Sequence, residues 1–288
     1  MDGLAQARRA RVCAAPAVGR DRRHDPGHAW PGDRRRLRTV GRQGALRRVR
    51  LADAFAARAS GPGFVLFGRQ HLSAVAVTSA GLATLMTVGR RLGPRGRRRV
   101  RRVLAGALVG QEVSFHAWRW ACGTWNVREM LPLHLCSVLV WGGAATLIHP
   151  TRLGDEVVWF WGLAGAPQAL LTPDVGEYAA PHYRFFQFFV SHGLVLTVPL
   201  WRVCVEGYRP DAAGARRAFF ALLAHAGVVG VINARLGSNY LFVNRKPDTA
   251  SVLDKLPPWP KYLPILAGIA AGVFWLAQAP FTRRRHAG

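Results

Sequence analysis

Leu131-Pro132-Leu133-His134-Leu135-Cys136 opens an apolar run that continues to about Ile148. It sets a thiol and an imidazole two residues apart at the mouth of a segment long enough to enter a membrane. Pro132 suits the first turn of a helix, where its missing N–H is no loss and its fixed φ is helical. A helix starting near Leu131 is therefore predicted. In a regular helix, residues two apart point about 200° away from each other, so His134 and Cys136 would not face one pocket. From this stretch alone a proline-started core helix with an incidental cysteine remains open. The neighbouring helices decide whether the cysteine means more.

The chain of 288 residues carries a formal charge of +25, yet half of it is hydrophobic. Basic loops between apolar segments explain that pairing better than a soluble domain does. Lys246, Lys255 and Lys261 are the only lysines among 40 basic residues. The arginines cluster between apolar runs and no nucleic-acid motif is present, so no nucleic-acid partner is expected. Cys13, Cys122, Cys136 and Cys204 form no CxxC pair and no disulfide framework.

Seven apolar segments follow one another at roughly 66–88, 103–122, 131–149, 157–173, 183–204, 217–235 and 262–281. Each is near the ~20 residues that a spanning helix needs. The predicted fold is all-α: a polytopic bundle of about seven transmembrane helices over residues 63–288. The cluster from Arg90 to Arg102 reads as a cytoplasmic loop between the first two segments. Alternation then puts 150–156, 205–216 and the tail Arg283-Arg284-Arg285 inside, and 123–130, 174–182 and 236–261 outside. The expected location is the cell membrane, multi-pass, with the C-terminus cytoplasmic.

Residues 1–62 hold 15 Arg against five Asp and show no sustained periodicity. Such a segment cannot bury enough apolar surface to offset its chain entropy and is expected to be disordered. Its charge would lie outside, against the positive-inside rule. A start codon set too far upstream, or a first segment that does not span, would remove the conflict.

Ionisable groups in spanning segments are costly and tend to be functional. His71 opens the first segment. Glu112 and His116 share one face of the second. His134 and Cys136 open the third, His192 lies in the fifth and His225 in the sixth. The topology puts His71, His116, His134 and Cys136 in the outer half of the bilayer, with Glu112 and His192 nearer its middle. Chance clustering of core histidines is the plain alternative. Trp118, Trp120, Trp125, Trp159 and Trp161 read as interfacial belts and packing, and Phe185, Phe186, Phe188 and Phe189 as lipid-facing or packed. Cys122 ends the second segment on the side of Cys136, so a disulfide between them is open. The 236–261 loop is longer than a connection requires and is a candidate cover for the outer mouth, or a solvated hairpin.

The run Gln111-Glu112, His116, Trp125 and Leu131 to Cys136, followed by Phe185, Gln187-Phe188, His192-Gly193, Asn239-Tyr240 and Lys246-Pro247, resembles the YwaF-like integral membrane family, which includes animal transmembrane protein 164. The resemblance covers about residues 64–282. It implies a seven-helix membrane acyltransferase that moves a fatty acyl chain between phospholipids, with Cys136 as acyl carrier. Acyl transfer through Cys needs a base and donors for the oxyanion. His192 and His116 are the candidate bases, with Glu112 orienting an imidazole. His134, His71, Asn239 and Tyr240 are candidates for holding the lipid. A thioester route needs no metal and no soluble cofactor. Two rivals stay open: a metal-dependent lipid hydrolase built on Glu112 and the histidines, and a transporter using them as a relay.

Overall fold

A computed structural model describes residues 51–59, 63–247 and 252–282. Among them all regular structure is helical. A short α1 (Leu51–Ala54) is followed by α2 (Arg69–Arg91), α3 (Pro94–Ala121), α4 (Val127–Met130), α5 (Leu135–Ile148), α6 (Arg152–Leu171), α7 (Tyr183–Cys204), α8 (Ala212–Leu236) and α9 (Tyr262–Thr282). The seven apolar segments thus each become one helix. Three of these, α2, α8 and α9, are long and apolar enough on their own to cross a membrane. The helices α3, α6 and α7 carry buried polar side chains that face other helices, which a bundle interior tolerates and lipid does not.

Local chemistry explains the boundaries. Pro94 sits at the start of α3, so the Arg-rich stretch expected as a loop is in fact the first turns of that helix. Thr151, His182 and Asp211 cap α6, α7 and α8 by accepting from the backbone N–H of Gly154, Arg184 and Gly214. Gly237 ends α8 in the left-handed region at φ 65°. The helix expected from Leu131 begins instead at Leu135, with His134 as its N-cap. Pro132 drives the residue before it out of the helical region, and Leu131 is extended at φ −68°, ψ 146°.

Helix α7 packs against α2, α3, α5 and α6, and α6 packs against α5, α7, α8 and α9. At the arginine end of the bundle a charged clamp ties these elements together. Arg202 grips Asp155 with two bonds of 2.6 and 2.9 Å and also donates to Glu206. Arg217 grips Glu156 in the same forked way, and Arg152 reaches both Glu156 and Asp211. Asp155 and Glu156 are buried, and such carboxylates persist only when paired and hydrogen-bonded. Burial, helped by their negative charges, pushes the Tyr208 hydroxyl upward from its ordinary value.

The expected disordered head lies outside the described residues up to residue 50 and over 60–62. Residues 51–59, however, are packed. The carbonyls of Phe55, Ala56 and Ala57 accept from Trp118, His182 and Tyr178, and Phe55 stacks on Tyr183. The carbonyls do the docking, which is why no hydrophobic pattern announced it. The tail Arg283-Arg284-Arg285 also lies outside the described residues.

At the arginine end, the close approach of α2 and α7 depends on Gly89. A Cβ on Gly89 would fall 2.5 Å from the ring of Trp201, a residue with no exposed surface. Gly89→Ala should therefore destabilise the protein by about 1–3 kcal/mol. Gly81→Ala, where nothing lies within 4 Å, should be neutral or mildly stabilising. Thermal unfolding in detergent compares the two, and equal behaviour would remove the close-approach account.

Candidate functional site

The end of the bundle that carries Cys136 gathers the polar side chains singled out from the sequence. Cys136 is the second residue of α5, where free backbone N–H groups favour negative charge. It is a free thiol, so the disulfide to Cys122 does not form. Its Sγ lies against α6, 3.3 Å from where a Cβ on Gly165 would sit. Glycine there leaves room for the sulphur.

Depth along the bundle follows from one shared contact. A Cβ on Gly143 would lie 3.1 Å from Val198 and 3.7 Å from Leu108, which puts α3, α5 and α7 in one layer there. Seven residues from Gly143 toward the thiol end, about 10 Å at 1.5 Å per residue, is Cys136. The same step reaches Phe115 on α3, between Glu112 and His116, and Ser191 on α7, next to His192. No hydrogen bond joins Cys136 to an imidazole among the described residues.

The hydrogen bonds fix which nitrogen of each imidazole carries the proton, because a carbonyl can only accept and a backbone N–H can only donate. His71 accepts from Phe67 N–H at Nδ1 and donates from Nε2 to Leu170 O, so both nitrogens are used. His116 accepts from the Trp125 indole at Nδ1 and turns Nε2 toward Glu112 at 3.5 Å. That pair is closed. His192 donates from Nδ1 to Phe188 O, which leaves the lone pair on Nε2 free. Its ring stacks on Phe188 at 4.1 Å. His134 accepts weakly at Nδ1 from Leu241 N–H, 3.4 Å away, and leaves Nε2–H as a free donor. Of these four, His192 alone offers an unused basic nitrogen.

The loop after α8 folds back over this end. The Tyr240 hydroxyl, fully buried, accepts from Leu131 N–H at 2.9 Å and donates to Val127 O at 2.6 Å. Tyr240 itself is pinned by Asn233 through its own N–H and carbonyl. The Asn239 side chain stitches the loop to Arg245 and Lys246. Tyr240 and Asn239 therefore spend their polar atoms on the protein. A cavity of about 400 Å³ lies under this loop, with His134, Arg128 and Arg245 among its walls.

Two further residues belong here: His225, which sequence reasoning noted without giving it a role, and Arg184, which it passed over. His225 donates from Nε2 to Leu133 O and so holds the non-helical segment leading into Cys136. Arg184 lies between the rings of Phe115 and Phe188, 4.8 and 5.2 Å from their centroids, and donates to Gln187. Gln187 donates to Gln111, the neighbour of Glu112. No carboxylate comes within ion-pair distance of Arg184 among the described residues. The signal was an arginine in a Phe-rich apolar segment. Among the described residues no three His, Cys, Asp or Glu side chains gather in ligating range, so Glu112 and His116 form a pair and not a metal cage.

A sequence model of the TMEM164 family matches residues 66–277. An uncharacterized protein of Treponema pallidum (strain Nichols) is 25% identical over 169 residues, which covers 57% of this chain and 69% of the relative. No solved structure matches the chain.

The Tyr240 hydroxyl gives a direct test of how the α5 start is held. Tyr240→Phe leaves Leu131 N–H and Val127 O unpaired, at a cost of about 1–3 kcal/mol. Maleimide labelling of Cys136 should then run several-fold faster than in wild type. An unchanged rate would show that the hydroxyl does not position this segment.

Proposed function

The chain belongs to the TMEM164 family, and on that premise we propose that it is an integral membrane acyltransferase that moves a fatty acyl chain between phospholipids through a thioester on Cys136. All seven long helices span the cell membrane in this reading, with α5 the shortest and both the thiol end and its covering loop outside. The observation that carries it is the pairing, at one depth, of a free thiol at a helix start with an imidazole whose Nε2 lone pair is unused.

The chemistry balances without a further reagent. His192 Nε2 takes the Cys136 proton, and the thiolate attacks the ester carbonyl of a donor phospholipid. The oxyanion is held at the α5 N-terminus, where backbone N–H groups are free, and by the His134 Nε2–H. The ester C–O bond breaks and the departing alkoxide takes the proton from His192, which leaves a lysophospholipid and an acyl-thioester. The hydroxyl of an acceptor lipid then gives its proton to His192 and attacks the thioester. The C–S bond breaks and the proton returns to Cys136. A thiol in a low-dielectric site ionises reluctantly, so the base is indispensable. The Glu112–His116 pair, through Gln111 and Gln187, orients Arg184, which is the cation for a lipid phosphate.

Cys136→Ala should abolish transfer between phospholipids in reconstituted vesicles, and intact-mass analysis should find a hydroxylamine-labile acyl adduct on wild type alone. His192→Ala should keep the thiol but lose roughly 10²–10⁴-fold in rate. Arg184→Gln should mainly raise the lipid concentration needed, whereas His134→Ala, which removes an oxyanion donor, should mainly lower the maximal rate, by roughly 10²–10³-fold. Full activity in Cys136→Ala would end the thioester mechanism.

The topology is tested separately. Reporter fusions should place the C-terminus and the start of α3 in the cytoplasm, and residues 238–247 outside. A reporter showing the C-terminus outside would invert the site.

A further inference from the structure

A groove of about 650 Å³ runs between α2 and α7 on the flank of the bundle. Its two ends differ in chemistry. At the thiol end stand Arg69 and Gln70. The Gln70 amide is tied to the backbone of Ala180 by paired bonds of 3.1 and 3.3 Å. Arg69 is exposed and has no partner among the described residues. Beyond them the walls are apolar: Val77, Leu82 and Leu85 from α2, with Phe186, Val190 and Leu194 from α7.

Two glycines shape this groove. A Cβ on Gly193 would meet Thr78 at 2.9 Å, so glycine there lets the helices touch along the floor. Gly81, one turn further along α2, has nothing within 4 Å of its Cβ position and leaves a notch in the wall. From Arg69 to Leu85 is sixteen residues, about 24 Å of helix. That exceeds the roughly 15 Å from headgroup to mid-plane in a bilayer whose hydrocarbon core is ~30 Å thick.

We propose that this groove binds one phospholipid, with the phosphate on Arg69 and an acyl chain lying past Gly81. A guanidinium presents two parallel N–H donors that match a phosphate, and Arg69 stands at the end of the bundle where headgroups lie. Lipid tails are as apolar as the groove walls, so the walls alone give no preference over bulk lipid. The lipid is held by the charge at the mouth together with packing in the notch. Around α7, Val190 and Gly193 stand about 200° and 100° from residue 192, while Phe185 and Phe189 of the groove wall stand within about 60° of it, so the groove opens mainly on a face beside that of the His192 imidazole. The proposal rests on α2 and α7 being embedded in the membrane and not on the thioester chemistry.

The test uses the full chain in mild detergent, mixed with micelles that contain equal amounts of phosphatidylglycerol and the matching free fatty acid. Native mass spectrometry reads what stays bound. Wild type and Cys136→Ala should each retain one phospholipid per chain in addition to any held at Arg184, whatever becomes of transfer activity. Arg69→Gln and Gly81→Phe, the second of which fills the notch, should each lower occupancy at least tenfold, and Arg69→Lys should recover part of it. Equal retention in wild type and both variants would overturn the proposal, because the lipid would then be a general coat. Loss with Arg69→Gln but not with Gly81→Phe would take the chain out of the groove and overturn it too, as would preferred retention of the fatty acid. Arg69 is exposed, so its substitution keeps the test valid if Gly81→Phe fails to fold.

Discussion

The forked contact between Arg202 and Asp155 sets the register of α7 against α6, and the opposite end of the bundle inherits that register. Helix α6 carries Gly165, against which the Cys136 sulphur rests. Helix α7 carries His192. A slip of one turn at the clamp would move these two positions about 5 Å apart along the axis. A buried carboxylate without its guanidinium is far more costly than an apolar mismatch, so the clamp resists slipping where leucine-on-leucine packing would yield. The glycine contacts at Gly89, Gly143 and Gly162 then bring the helices close at that register.

At the thiol end the protein uses backbone groups as its instruments. Carbonyls of Phe188, Leu170 and Leu133 decide the tautomers of His192, His71 and His225, while the Phe67 N–H and the Trp125 indole occupy the lone pairs of His71 and His116. Four histidines at the same end of the bundle could all have been bases. Hydrogen bonding turns one into a tie between helices, one into a partner for Glu112 and one into a donor at the helix cap. It leaves His192 with a lone pair. The same economy governs the covering loop, where Tyr240 and Asn239 are spent on holding the chain that leads into Cys136.

The distribution of polarity also accounts for the outer surface. Helices α2, α8 and α9 are apolar over long stretches because they lie at the edges of the bundle, while α6 and α7 can hold Asp155, Glu156, Arg184 and Arg202 because they lie within it. Interior charge is tolerable where each group meets a partner. Arg184 has only rings and an amide, and Arg69 has no partner among the described residues. Both cations stand at the thiol end of the bundle.

The seven helices were legible in the sequence, because a membrane-sized apolar run has few alternatives to a helix and Pro94 and Gly237 mark helix ends by their own backbone limits. So were the ionisable positions within those runs, since His, Glu and Cys are expensive in such segments. The start of α5 was not, because Pro132 fits the first turn of a helix as readily as the extended lead-in that the structure adopts. Nor was the docking of residues 51–59, which rests on backbone carbonyls that every residue carries whatever its side chain. The roles within the list came from tertiary structure alone. Whether an imidazole is a base or a tie depends on which carbonyl or N–H lies within 3 Å of each nitrogen, and those groups belong to residues as far away as Leu170 is from His71. A sequence records which side chains can titrate. The packing of helices decides which of them still has a lone pair to use.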